Sequence, residues 1–263
     1  GNHSTVTGYP DYVTLYYNAL WLGSGDTTLA LGPGITVRGQ NGLIGSGANT
    51  CWGGPLNVSV INQGTIAADV SGGTITVTAQ PFSNEGLAQG GNGGLLRLVG
   101  SWSNSGTLAV DNGALNLTGT FTTAGLGTIN RTGGTIYLNG TVDNTGSTLV
   151  LNAEGGSWLF QSGTIRGGTV VATNGVTLVV QNGTLDGVTV DGVLEVGASV
   201  NGASLTVVNG LVLNGTAYGG NPTNRWYGGI RFLGSHTWRG DGTAALGNHS
   251  TVTGYPDYVT LYY

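Results

Sequence analysis

"NSGTLAVDNGALNLTGTF", Asn104–Phe121, is the stretch whose reading decides the fold. In its first half Leu108 and Val110 face one way, and Thr107 and Ala109 the other. After Asn112-Gly113 the pattern resumes, with Leu115 and Leu117 on one face and Asn116 opposite. Alternation over a few residues, closed by Asn-Gly or Gly-Gly, reads as strand then turn. No segment of the chain sustains a helical period. Glycine at the corners supplies the positive φ angles that sharp turns need.

The phrase recurs with drift. "NQGTIAADVSGGTITVTAQPF" begins at Asn62, "NEGLAQGGNGGLLRLVGSW" at Asn84, "AGLGTINRTGGTIYLNGTV" at Ala124 and "NTGSTLVLNAEGGSWLF" at Asn144. Three sets of markers keep the rhythm. A first strand is expected at Thr65, Leu87, Thr107, Thr128, Thr148, Thr164, Thr184 and Ser204, in steps of 16 to 22 residues. A second is expected at Thr74, Gly94, Ala114, Thr135 and Ser157, and a third site at Phe82, Trp102, Phe121 and Val142. A shared period of about 20 residues is the mark of a solenoid, because one such coil cannot bury its apolar face alone. The expectation is an all-β chain, a parallel β-helix with three strands per coil. After Ser204 the rhythm loosens, and the segment from Tyr218 onward reads as further coils with longer insertions.

Stacked coils place like residues on like. Phe82, Trp102 and Phe121 are expected to form an inner aromatic ladder. Asn62, Asn84, Asn104 and Asn144 are expected to form an amide ladder at a corner, as stacked strands allow. Simple turn preference is the other reading of these asparagines.

The first seventeen residues, "GNHSTVTGYPDYVTLYY", return as the last seventeen, so the sequence recurs after 246 residues. On that basis 1–246 reads as one solenoid repeat of roughly 12 coils, and 247–263 as the start of the next identical repeat. Tandem repeats in one giant polypeptide and separate subunits stacked head to tail both fit, the tandem better. The missing initiator Met fits a piece excised from a longer chain.

Composition narrows the function. The 263 residues include 52 Gly but no Lys and no Met, and only 7% are charged. The net charge is −5 and the seven Arg are scattered singly, which argues against nucleic acid as a partner. No apolar run is long enough to span a membrane as a helix. Cys51 is the one cysteine, read as a small buried residue or as a lateral cross-link between molecules.

Residues that could carry chemistry are thin on the ground. Asp186, Asp191 and Glu195 form the densest acidic group, and His3, His236 and His249 stand without partners at metal-ligand spacing. No catalytic, metal or cofactor site is expected, and the chain is not expected to be an enzyme. The aromatics are the better candidates. Tyr12, Tyr16, Trp226, Tyr227 and Trp238 could cover the core under loops, pack fibres laterally or stack on sugar rings.

The phrases "SGTLAVDNGALNLTGTF", "GTLDGVTVDGVLEV" and "LTVVNGLVLNGTA" resemble the β-helical repeat regions of giant secreted bacterial adhesins, of the filamentous-haemagglutinin and autotransporter-passenger type. The resemblance covers about 57–217. It implies an extracellular, cell-surface setting and a structural fibre or adhesive filament, with other copies of the repeat as end-to-end partners. The alternative is an adhesin passenger that binds glycans or matrix through its aromatic segment.

Overall fold

The computed structural model describes residues 18–48 and 50–248. They form an all-β parallel β-solenoid with three strands per coil and one short 3₁₀ turn at Ala124–Leu126. The chain falls into two compact units that divide after Ile136.

In the first unit strands pair in parallel with their counterparts one coil on, except that Thr120–Thr122 meets the preceding coil only through a bridge between Ser101 and Thr120. Strand position one runs Thr36–Gly39, Thr65–Ala68, Leu87–Gly91, Thr107–Asp111 and Thr128–Arg131. Position two holds Ala19–Trp21, Asn41–Gly45, Thr74–Thr78, Leu95–Val99 and Gly113–Leu117, followed by Gly134–Leu138, the strand that contains the boundary residue. Position three holds Thr28–Leu31, Ser59–Asn62, Phe82–Asn84, Trp102–Asn104 and Thr120–Thr122. Alternation does what it should. Leu108, Val110, Leu115 and Leu117 are buried, stacked on Ala88, Ile75, Val77, Leu96 and Leu98 from the same faces of neighbouring coils. Each buried aliphatic side chain contributes about 2 kcal/mol, so a coil gains its stability from its neighbours.

Close stacking also dictates a glycine. Gly90 takes an inward position between Ala68 and Val110, and a Cβ there would collide with the Ala114 carbonyl. The corner Asn112, by contrast, adopts a left-handed φ of 52°, which asparagine tolerates.

The second unit repeats the architecture with longer strands. Thr141–Asp143, Thr148–Leu151 and Trp158–Phe160 make one coil, and Thr164–Arg166, Thr169–Ala172 and Leu178–Val180 the next. The following two coils are nearly unbroken strands, Asn182–Val196 and Ala203–Gly219, paired along their whole length with one register shift between Asp186 and Val188. Gly228–Phe232, Trp238–Arg239 and Thr243–Leu246 make the last described coil. The core positions of the two nearly unbroken coils are aliphatic: Leu185, Val190, Leu194, Leu205, Val207 and Leu213 are all buried.

Three details differ from the expected register. In position two the partner of Thr74 and Ala114 is Leu95 rather than Gly94, because Gly94 belongs to the turn. In the second unit Thr164 pairs with Thr141 and Thr184, whereas Thr148 pairs with Thr169. The 16-residue step from Thr148 to Thr164 therefore joined two different strand positions. Ser204 pairs with Asn182, so the partner of Thr184 is Thr206. The shared "GT" opening of these strands hides which side of a coil they occupy.

Against the roughly 12 coils expected per repeat, the described residues hold about ten, five in each unit. The excursion 46–58 separates Asn41–Gly45 from Ser59–Asn62.

Candidate functional site: polar ladders and exposed aromatics

The interior ladder lies at position three of the first unit. Asn62, Asn84 and Asn104 are buried, at 0%, 0% and 4% exposure, and stand in register on successive strands. Asn62 Nδ2 donates to Asn84 Oδ1 at 2.7 Å, and Asn84 Nδ2 donates to Asn104 Oδ1 at 2.6 Å. Each amide also donates to the backbone of the next coil, at Leu87 O, Thr107 O and Thr128 O. The ladder has a direction, and its acceptor end is Asn62 Oδ1, which is buried without a partner. The residue that would have supplied a donor is Leu31, the strand partner of Asn62. Asn144, in the second unit, is buried and donates to Gly167 O and Thr169 O. Gly167 and Gly168 follow the next strand there, so no further amide stands above it.

Phe82 and Trp102 sit two residues before Asn84 and Asn104, and Phe121 follows one coil on. Phe82, Trp102 and Phe121 are buried. Phe82 pairs with Trp102, and the rings of Trp102 and Phe121 stack at 4.0 Å with 25° between planes. The Trp102 indole N–H donates to Thr118 O at 2.8 Å, so the buried ring leaves no polar atom unmet.

The sequence-adjacent carboxylates are separated by the fold. Asp186, Asp191 and Glu195 stand on successive sides of one coil, in register with Val208, Asn214 and Tyr218. Asp186 accepts from Asn209 Nδ2 at 2.6 Å and pairs with Arg166 at 3.3 Å. Asp191 accepts from Asn214 Nδ2 at 2.6 Å, and Glu195 accepts from the Ser199 hydroxyl. Their spacing in the sequence equals one strand plus one corner, which turns each to a different face. Elsewhere Asp143 has its carboxyl held below the usual carboxylate range, chiefly by hydrogen bonds from Thr145, with a smaller contribution from the Arg166 charge. No group of three or more potential metal ligands occurs among the described residues.

Of the aromatic candidates, Tyr12 and Tyr16 lie outside the described residues, as do His3 and His249. Trp226, Tyr227 and Trp238 are 40%, 57% and 38% exposed. Trp226 and Tyr227 sit on the turn before Gly228–Phe232, where Asn224 and Asn201 side chains accept from their backbone N–H groups. Trp238 lies against Phe232, 5.5 Å between ring centres, and His236 lies 6.4 Å from the same Phe. A cavity of about 180 Å³ opens beside Trp238, lined by Leu213, Arg239, Gly240, Gly242 and Ala244. It is smaller than the roughly 300 Å³ at which small-molecule pockets begin.

The fold also assembles an aromatic pair that sequence reading did not single out. Trp21 and Trp52 meet at 6.2 Å, and the Trp21 indole donates to Gly53 O. The excursion 46–58 carries Trp52 back onto Ala19–Trp21, and no local pattern announces such a return. Cys51, on the same excursion, is exposed rather than buried, because the segment leaves the core.

No helix among the described residues is long and apolar enough to cross a membrane. The chain matches no family model, no curated protein and no solved structure.

Proposed function

We propose that the chain is a structural repeat of an extracellular fibre, built from β-solenoid units joined end to end, in tandem or as stacked subunits. The observation that carries this reading is the repeated parallel pairing of coil on coil within each unit. The inter-coil hydrogen bonds point along the stacking direction. Many act side by side at each coil interface, so axial tension is shared before any coil separates. The 246-residue recurrence supplies a second support, since a stacked fold is extended by repetition at little cost. In this reading 1–246 is one repeat, 247–263 opens the next, the partners are further copies of the chain, and the molecule carries out no catalysis.

Scaffold, sheath and adhesive filament are all uses of such a fibre at a bacterial cell surface. The exposed Trp226, Tyr227 and Trp238 favour one second reading, an adhesin that holds glycans or matrix through these rings.

Two measurements test the proposal. Negative-stain electron microscopy of the purified chain should show filaments if subunits stack, and a dispersed monomer would leave only the covalent tandem. The denatured mass of native material separates the two joins. A polypeptide far above 26.5 kDa is expected for a tandem, and a band at that mass would leave only stacked subunits. If Trp226→Ala and Tyr227→Ala abolish glycan retention while filaments persist, the adhesin reading gains.

A further inference from the structure

The last described coil ends on an apolar face. Its strands Gly228–Phe232, Trp238–Arg239 and Thr243–Leu246 pair with Ala203–Gly219 on one side. Ile230, Phe232, Trp238 and Ala244 stand in register with Leu205, Val207, Leu211 and Ala217, all at most 1% exposed. They therefore occupy the core column. Yet Trp238 is 38% and Leu246 71% exposed. The first described strand mirrors this. Ala19–Trp21 pairs on one side with Leu43–Gly45, and Leu20, in register with the buried Ile44, is 41% exposed.

We propose that these two faces are partners: the strand Ala19–Trp21 of a second copy of this chain docks in parallel on Thr243–Leu246, with Leu20 over Ala244. The inference rests on the fibre reading and names its junction. Its first support is phase. Because the seventeen-residue phrase recurs after 246 residues, the Ala19 of a following copy stands 22 residues past Thr243. Within the units, position-two strands advance by 16 residues from Leu178 to Leu194, 20 from Trp158 to Leu178, 21 from Thr74 to Leu95, 23 from Leu194 to Ala217, 27 from Ala217 to Ala244 and 33 from Asn41 to Thr74. The junction step falls inside that range. Its second support is facing. A step of 22 sets Leu20 above Ala244, both inward, and Ala19 above Thr243, both outward. A slip of the two paired strands by one residue would set an outward side chain of one over an inward one of the other.

The surfaces meet head to tail, so the contact does not close and propagates as a filament. Among the described residues neither strand has a partner on its outer edge, and such an edge over exposed core side chains is a template for pairing.

The test uses the full chain with Cys51→Ser, a change at an exposed position. One preparation carries Thr243→Cys, and a second, mass-tagged, carries Ala19→Cys. Directly opposed residues on paired strands lie about 5 Å apart at Cα, within disulfide range. Mixing and oxidation should give a mixed disulfide dimer, at least tenfold more than when Ala245→Cys replaces Thr243→Cys. An equal or greater yield from Ala245→Cys overturns the register. Multimers by sedimentation with no cross-link from either pair overturn the junction while the fibre reading stands. A monomer throughout, with no cross-link, overturns the junction and the stacking of separate subunits.

Discussion

The two units stack by the same rule but put their polar ladders in different places. In the first unit the amides of Asn62, Asn84 and Asn104 run through the buried interior. In the second the comparable run is Asn139, Gln161 and Gln181, which lies at the surface, with Asn139 Nδ2 to Gln161 Oε1 and Gln161 Nε2 to Gln181 Oε1 both at 3.1 Å. The geometry is alike and the energetics are not. A buried amide that loses its partner meets no water, and the cost of an unmet group is about 1–3 kcal/mol. A surface amide that loses its partner is rehydrated. Ladders therefore hold the first unit together as much by the penalty of breaking them as by the bonds themselves, while the aliphatic core of the second unit needs no such continuity.

This contrast can be pressed at graded sites. The largest effect is expected from Trp102→Ala, which empties the stack against Phe121 and leaves Thr118 O without the indole donor. A loss of about 4 kcal/mol is expected, read as a fall in the urea midpoint. Next comes Asn84→Ala, which strands the donor of Asn62 and the acceptor of Asn104 together, at about 3 kcal/mol. Asn62→Ala should cost less, about 1 kcal/mol, because it strands only the Asn84 acceptor while removing an acceptor that already lacks a partner. If Asn62→Ala proves as damaging as Asn84→Ala in thermal melts, Asn62 is not the end of the ladder. Gln161→Ala in the second unit should stay within about 0.5 kcal/mol despite breaking two ladder bonds. A larger loss would erase the distinction between interior and surface ladders.

The smallest effect concerns Asp143. Its folded pKa lies below the ordinary value, so its contribution is present above the unfolded pKa and fades as pH falls through the folded one. Thr145→Ala removes the hydroxyl that donates to it, and an NMR titration should then show the Asp143 midpoint rising towards an ordinary aspartate.

The class of fold was legible because it depends on local pattern. In Asn104–Phe121 the alternation of Leu108 and Val110, the corner Asn112-Gly113 and the return of Leu115 and Leu117 each need only neighbours to be read. Repetition then implied stacking, and the parallel three-stranded coils follow. Register was less legible. "GT" opens strands on more than one side of a coil, so Thr164 could be mistaken for the successor of Thr148. The candidate site was least legible. Asp186, Asp191 and Glu195 are neighbours in sequence but face three ways, and Trp21 and Trp52 are distant in sequence but touch.

By itself the sequence determined the strand period, the corners, the absence of helix-forming periodicity and the recurrence after 246 residues. These follow from side-chain alternation and backbone preference, which act over a few residues. Only the tertiary structure decided which strands share a side, that Asn62 ends its ladder beneath Leu31, and that Trp238 and Leu246 stand exposed on a core column. Those outcomes depend on what lies one coil away, about 20 residues along the chain and about 5 Å through space, a neighbour that no local pattern specifies.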